Sequence, residues 1–179
     1  MAGKRIHYKP GRGDTIPSEE GIVRIRGFVR GCLVDPDGTE HYGDWHENAI
    51  TTKGVEMVMN NFVTYNSDAL PGTRMGVGNH TGAIASNATA FNSTEYSPLT
   101  GTTSRRQSAA VSSAAYGTMS FTQAFASSDI SNNVAINAVG IFGVSTIGSG
   151  SAYSIATFTE SSKSSTQALN ITYVWNFAT

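Results

Sequence analysis

The stretch from Leu169 to Phe177 constrains the fold more than any other part of the chain. Leu169, Ile171, Tyr173, Trp175 and Phe177 alternate there with Asn170, Thr172, Val174 and Asn176. Successive side chains of a strand point to opposite faces, so the pattern predicts a half-buried β-strand with one heavily apolar face. A face carrying Tyr, Trp and Phe must be covered by a second layer, which makes this an inner strand on which others are laid. Phe121, Phe125, Ile141 and the helical stripe from Val58 to Phe62 are the candidate cover.

The rest of the composition fits a β-rich protein. With 179 residues, the chain is long enough for one domain with its own core. Charged residues make up only 14%, against the usual quarter. Ser, Thr, Asn, Gly and Ala fill the gap. Ser, Thr and Asn compete with helical backbone bonds and suit strands and turns. Net charge is −1, which gives no global drive toward nucleic acid or an anionic membrane. The cations are nevertheless concentrated near the start: Lys4, Arg5, Lys9, Arg12, Arg24, Arg26 and Arg30 all precede residue 31. A basic head on a nearly neutral body predicts contact with something acidic. The single cysteine, Cys32, excludes an internal disulfide framework and reads as a small buried thiol. The opening MAGKRIHYKP has no apolar leader core, and no run approaches the roughly 20 apolar residues of a membrane helix. The expectation is a protein made in a cytoplasm, with no membrane partner.

The order of elements follows from turn and period signals. Residues 1–20 are rich in Pro and Gly and aperiodic, and are expected to form an extended N-terminal arm. A single domain is expected over residues 21–179. Gly21 to Val34 is the first strand, with Arg24, Arg26 and Arg30 alternating on one face as a positive ridge. Asp35-Pro36-Asp37-Gly38 is a turn and Thr39 to Glu47 the returning strand. A short helix is expected at about 51–63: Thr51 or Thr52 opens it, Glu56 lies near its start, and Val55, Val58, Met59, Phe62 and Val63 form its stripe. Strands are then expected at Arg74–Val77, Ser104–Val111, Tyr116–Ala126, Asn133–Val144 and Ala152–Phe158, with a turn at Ser161–Ser165 before the last strand. Asn133–Val144 is apolar on both faces, as in a strand buried on both sides. Short strands separated by turns predict a mainly β fold, an antiparallel β-sandwich or jelly roll with one helix.

Motifs with chemistry are few. His41, Asp44, His46 and Glu47 are the densest set of metal-ligand types, but in a regular strand the two His point to opposite faces, so no metal is assigned. Arg12-Gly13-Asp14 is a chance-length tripeptide. Gly76-Val77-Gly78 leads into a polar loop and not a helix, which argues against a phosphate loop. The sequons at Asn79, Asn87, Asn92 and Asn170 are expected in a Ser/Thr-rich chain. The sparse acids, and the lack of any His after His80, leave no catalytic residue to nominate, and no enzyme activity or cofactor is expected.

The order of parts carries more. GIVRIRGFVRGCLVDPDGTEHYGDWHENAITTKGVEMVMNNFV runs from a hairpin through HENAITTKG into a helix. GVGN, NVAINAVGIFGV and the closing LNITYVWNF follow. This resembles a loose family of tailed-bacteriophage virion structural proteins, in which an N-x-I/V-T-x-x-G step, a G-x-G strand and an N-x-x-I-x-x-x-G-I/L-F strand recur in that order. Here Asn137-Ala138 stand where that family often carries Arg-Glu. The resemblance implies a β-sandwich, often trimeric, on the capsid exterior or in the tail, without catalytic residues.

The leading expectation is therefore a capsid-decorating or cement protein in the virion. Lys4, Arg5, Lys9, Arg12, Arg24, Arg26 and Arg30 would contact the major capsid protein or a tail component. The alternative is a tail-fibre or receptor-binding module using the long polar loop from Gly78 to Gly101, with Asn79, His80, Asn92 and Tyr96 as contacts. Small residues at Ala109, Ala110, Val111, Ala114 and Ala115 in a weak strand point to close subunit approach, and a homotrimer is expected.

Overall fold

The closing strand lies inside a sheet, flanked on both sides. In the computed structural model, which describes residues 24–64, 73–96, 99–100, 103–104, 106–115, 118–130, 132–147 and 150–178, it runs from Ala168 to Ala178. In chain order the elements are β1 (Arg24–Val34), β2 (Glu40–Tyr42), β3 (His46–Ile50), α1 (Thr52–Thr64), β4 (Arg74–Gly78), β5 (Glu95–Tyr96), β6 (Leu99–Thr100), β7 (Thr103–Ser104), β8 (Gln107–Ser108), β9 (Ala110–Ala115), β10 (Thr118–Phe125), β11 (Val134–Phe142), β12 (Ala152–Lys163) and β13 (Ala168–Ala178). The expected mainly β fold, with antiparallel sheets and a short helix, is what the structure has. The arm, with Lys4, Arg5, Lys9 and Arg12, lies outside the described residues.

One sheet runs β9-β10-β13-β1, with β2 and β3 on the far side of β1; the other runs β3-β12-β11-β4, with β5 and β8 on β4. Strand β3 belongs to both. His46–Asn48 pair with Val29–Gly27 of β1, and Ala49 and Ile50 then pair with Ile155 and Ser154 of β12. A bent strand of this kind lets two sheets close on one core without a long connection.

The inner face of the first sheet contributes Val29, Phe121, Phe125, Leu169, Ile171, Tyr173 and Trp175, and the second contributes Met75, Val77, Ile136, Val139, Ile141 and Ala156. In β13, Trp175 and Tyr173 are fully buried, and Phe121 of β10 meets both rings edge-on. At the β3 bend, Asn48 donates from its amide to Ser154 Oγ at 2.5 Å and to the Tyr173 hydroxyl, and Ser154 and Tyr173 share a 2.6 Å hydrogen bond. This buried triad ties β3, β12 and β13 together. Burial pushes the Tyr173 phenol well above its ordinary pKa, so it stays neutral. Gly27 of β1 makes room for it, since a Cβ there would collide with the Asn48 side chain.

Several sequence expectations change. The predicted return strand Thr39–Glu47 breaks into β2 and β3 around the Gly43–Trp45 turn. Strand β12 continues to Lys163, so the turn expected at Ser161–Ser165 starts only at Ser164. The extended part of β12 pairs with the start of β11 across a register irregularity. Ile136 pairs with Ser161 but Ala138 pairs with Thr157, so four residues of β12 span two of β11, and across this irregularity Ile136 and Val139, three residues apart, both lie in the core. In α1, Thr51 is the cap: its Oγ1 accepts from the Gly54 amide at 3.1 Å. No acid lies in the first turn, and Glu56 instead pairs with Lys53 one turn away. Met57 and Val58 face the core, while Val55, placed on the stripe by its spacing, is 43% exposed. The Asp35–Gly38 turn is as expected, with Gly38 at φ +87 and its amide on the Asp35 carbonyl at 2.9 Å.

Candidate functional site

The basic ridge of β1 is on the outer face of the first sheet. Arg24 opens β1 opposite Ala178, and its side chain lies outside the described set. Arg26 is exposed and Arg30 half-buried. On this face Arg26, Phe28 and Arg30 stand opposite Asn176, Val174 and Thr172 of β13. Two aromatic residues that sequence reasoning did not single out gather around Arg30. Its Cζ lies 4.6 Å from the ring centre of Tyr42 and 4.8 Å from that of Trp45. Both rings are unusually open for their size, Tyr42 at 58% and Trp45 at 48% exposure. The Tyr42 hydroxyl donates to Glu40 at 2.6 Å, which fixes its ring. An exposed Arg–Trp–Tyr group has the composition of a binding hot spot. The signal for it in the sequence is a Trp and a Tyr in a Gly-rich hairpin one strand away from the arginines, but a linear pattern does not reveal their convergence.

Beside this group a cavity of about 350 Å³ opens between the β2–β3 turn and β12. Ile136, Phe158 and Leu169 contribute apolar lining, and His41, Asp44 and His46 contribute polar groups. His41 is engaged with Asp35 at 2.8 Å. The Gln167 amide, and after it His41, hold the Asp35 carboxyl below its usual range. Burial raises the pKa of the Cys32 thiol, also at this cavity, and keeps it protonated at neutral pH. Among the described residues no group of three or more His, Cys, Asp or Glu side chains is placed to hold a metal ion.

The residues named for a receptor loop do come together, at the base of the loop after β4. Asn79 donates to the Tyr96 hydroxyl at 3.3 Å. His80 is buried: its Nδ1 accepts from the Asn92 backbone N–H at 3.3 Å, and its own backbone pairs both ways with the Asn137 side chain, at 2.8 and 3.1 Å. Asn92 in turn holds both backbone groups of Thr81, at 2.8 and 2.6 Å. These polar groups bind the loop to itself and to β11. Phe91 stacks edge-on against Phe142, in a second apolar cluster with Ala138, Ala152 and Ile155. The segment expected to be an interaction loop thus also roofs the outer face of the second sheet.

A buried ion pair closes the roof. Arg106 Nε and Nη2 donate to the two Glu95 oxygens at 2.6 and 3.0 Å, and its Cζ lies 3.5 Å over the Phe142 ring. The glycines of Gly76-Val77-Gly78 let this layer approach. A Cβ on Gly78 would lie 2.2 Å from the Thr94 carbonyl oxygen, and one on Gly76 2.6 Å from Glu95 Oε1. Gly78→Ala is expected to cost about 1–3 kcal/mol by overpacking. It should also speed hydrogen exchange at the Asn79 amide, which now bonds the Thr94 carbonyl at 2.7 Å; unchanged exchange there would argue against the close approach.

No family model, no curated protein and no solved structure matches the chain.

Proposed function

We propose that the chain is a structural protein of a tailed-phage virion, a capsid-decorating protein that docks through its basic arm and the outer face of β1. The carrying observation is the Arg26–Arg30 ridge with exposed Tyr42 and Trp45, on the strand that directly follows the arm. The outer face of the second sheet is occupied by the protein's own loop, which favours the first sheet for docking. An arm of 20 residues reaches up to about 66–72 Å when extended. Ordering it costs about 1–2 kcal/mol per residue, so the contact it adds must be large. The residues involved are Lys4, Arg5, Lys9, Arg12, Arg24, Arg26 and Arg30. The protein is read as non-enzymatic.

Deleting residues 1–20 is expected to abolish co-sedimentation with capsids and leave the melting transition of the body in place. Undiminished capsid binding by the truncated protein would sink the reading, and recovery on tails alone would favour the receptor-binding alternative. Subunit association is read as trimeric. Strand β9 ends the first sheet, Val111 on it is 42% exposed, and among the described residues no strand pairs with its outer edge, which is where a neighbouring subunit would add. In the same sedimentation runs, a monomer on and off the particle would remove the trimer.

A further inference from the structure

The outer face of β1 carries a more specific proposal than general docking. Lys53 pairs with Glu56, Arg106 with Glu95, and Lys163 donates to the Ile130 and Ser164 carbonyls at 2.7 and 2.9 Å. Arg26 and Arg30 make no hydrogen bond or ion pair among the described residues. The Arg30 guanidinium is instead held against two rings, which orient its plane but use none of its N–H donors. Glu40, the acid beside Tyr42, accepts from the Tyr42 hydroxyl. A planar cation positioned in this way, with its donors unspent, is preorganised for a bidentate carboxylate.

We propose that Arg30, backed by Tyr42 and Trp45, is the anchor point for a carboxylate side chain on an acidic segment of a partner protein, with Arg26 taking a second. The two arginines share a face four residues apart, about 13 Å along the strand. Carboxylates at alternate same-face positions of an extended partner segment match that spacing. Between them Phe28, opposite Val174, offers a partly buried apolar contact. A protein partner fits better than a nucleic acid. Glu47 stands opposite Phe28 on β3, and the neighbouring positions Thr172, Asn170, Thr122 and Ser120 are uncharged. A continuous phosphate backbone would meet Glu40 and Glu47 and find too few cations, whereas discrete carboxylates need only the two arginines. The proposal rests on the docking reading above only for its choice of a protein as partner.

The test uses the full chain and poly-L-glutamate at low ionic strength, followed by tryptophan fluorescence, because Trp45 is open while Trp175 is fully buried. Arg30→Lys keeps the charge but loses the planar donor edge, and is expected to weaken binding roughly tenfold. Trp45→Ala keeps Arg30 and removes its backing, and should weaken binding several-fold while abolishing most of the fluorescence change. Arg30→Lys binding as the parent does would overturn the anchor, because diffuse electrostatics would then suffice. Duplex DNA binding as tightly as poly-L-glutamate, with the same sensitivity to Arg30→Lys, would overturn the choice of carboxylates. Loss of capsid binding on arm deletion, alongside parent-like poly-L-glutamate binding by Arg30→Lys, would remove this anchor and leave the virion reading standing.

Discussion

Trp175→Ala is expected to lower the unfolding free energy by about 3–5 kcal/mol, seen as a fall in the urea midpoint with an unchanged slope. Trp175 is fully buried, with the Phe121 ring centre 5.1 Å away. Its cross-strand neighbours are Gly27 and Met119. Gly27 has no side chain with which to fill the void, so little relaxation is available on that side. One term acts in the opposite direction. The indole Nε1 is buried without a hydrogen-bond partner among the described residues, a cost of about 1–3 kcal/mol that any replacement lacking the N–H recovers. Trp175→Phe should therefore be clearly milder than Trp175→Ala. A loss below about 1 kcal/mol for the alanine variant would refute the inner placement of this residue.

That placement was legible because period-two alternation over Leu169–Phe177 states both the strand and its buried face. The same rule located Phe121 and Phe125 on β10 and the two-faced character of β11. It failed where geometry departs from regular period. The register irregularity that shifts Ile136 and Ala138 against β12 is invisible in a hydropathy pattern, and so is the extension of β12 to Lys163. Val55 and Val58 both fit the stripe of α1, but only the position of the sheet beneath the helix decides that Val58 is buried and Val55 is not. The polar loop after Gly78 misled for another reason. Its few apolar groups, Phe91 with Ile84 and Ala88, reach the second apolar cluster from a segment dominated by Ser, Thr and Asn. A roof needs only a few anchors when backbone and Asn side chains satisfy the remaining polar groups.

The candidate binding face divides along the same line. The alternation of Arg24, Arg26 and Arg30 could be read directly, because all lie in one strand. Tyr42 and Trp45 belong to the next hairpin segment, and their approach to Arg30 depends on the pairing of Cys32 with Tyr42 and on the break of the return strand at Gly43–Trp45. Had Thr39–Glu47 been one regular strand, Tyr42 and Trp45 would have pointed to opposite faces. The irregularity at this turn brings both rings to the arginine.

Glu95→Gln is expected to destabilise the protein by about 3–5 kcal/mol, as large an effect as the loss of Trp175, although it changes almost no volume. Arg106 has 0% and Glu95 6% of its side chain exposed, so the guanidinium would remain buried with a neutral amide in place of its counter-ion. Gln offers one acceptor where the carboxylate offers two, and turns an NH2 group toward a cation. The Phe142 ring face and the Val144 carbonyl, 3.4 Å from Nη1, offset only part of that loss. The pair itself is a different matter: its attraction is set against the desolvation of both ions. Glu95→Leu with Arg106→Met should therefore recover most of the stability lost by the single change, and the coupling between the two sites should exceed about 1 kcal/mol in a double-mutant cycle. Hydrogen exchange gives the local reading, with faster exchange at Asn79 and Asn92 in Glu95→Gln and near-parent rates in the apolar pair. A single-variant loss below about 1 kcal/mol would mean that water reaches Arg106, and that the loop does not seal the second sheet.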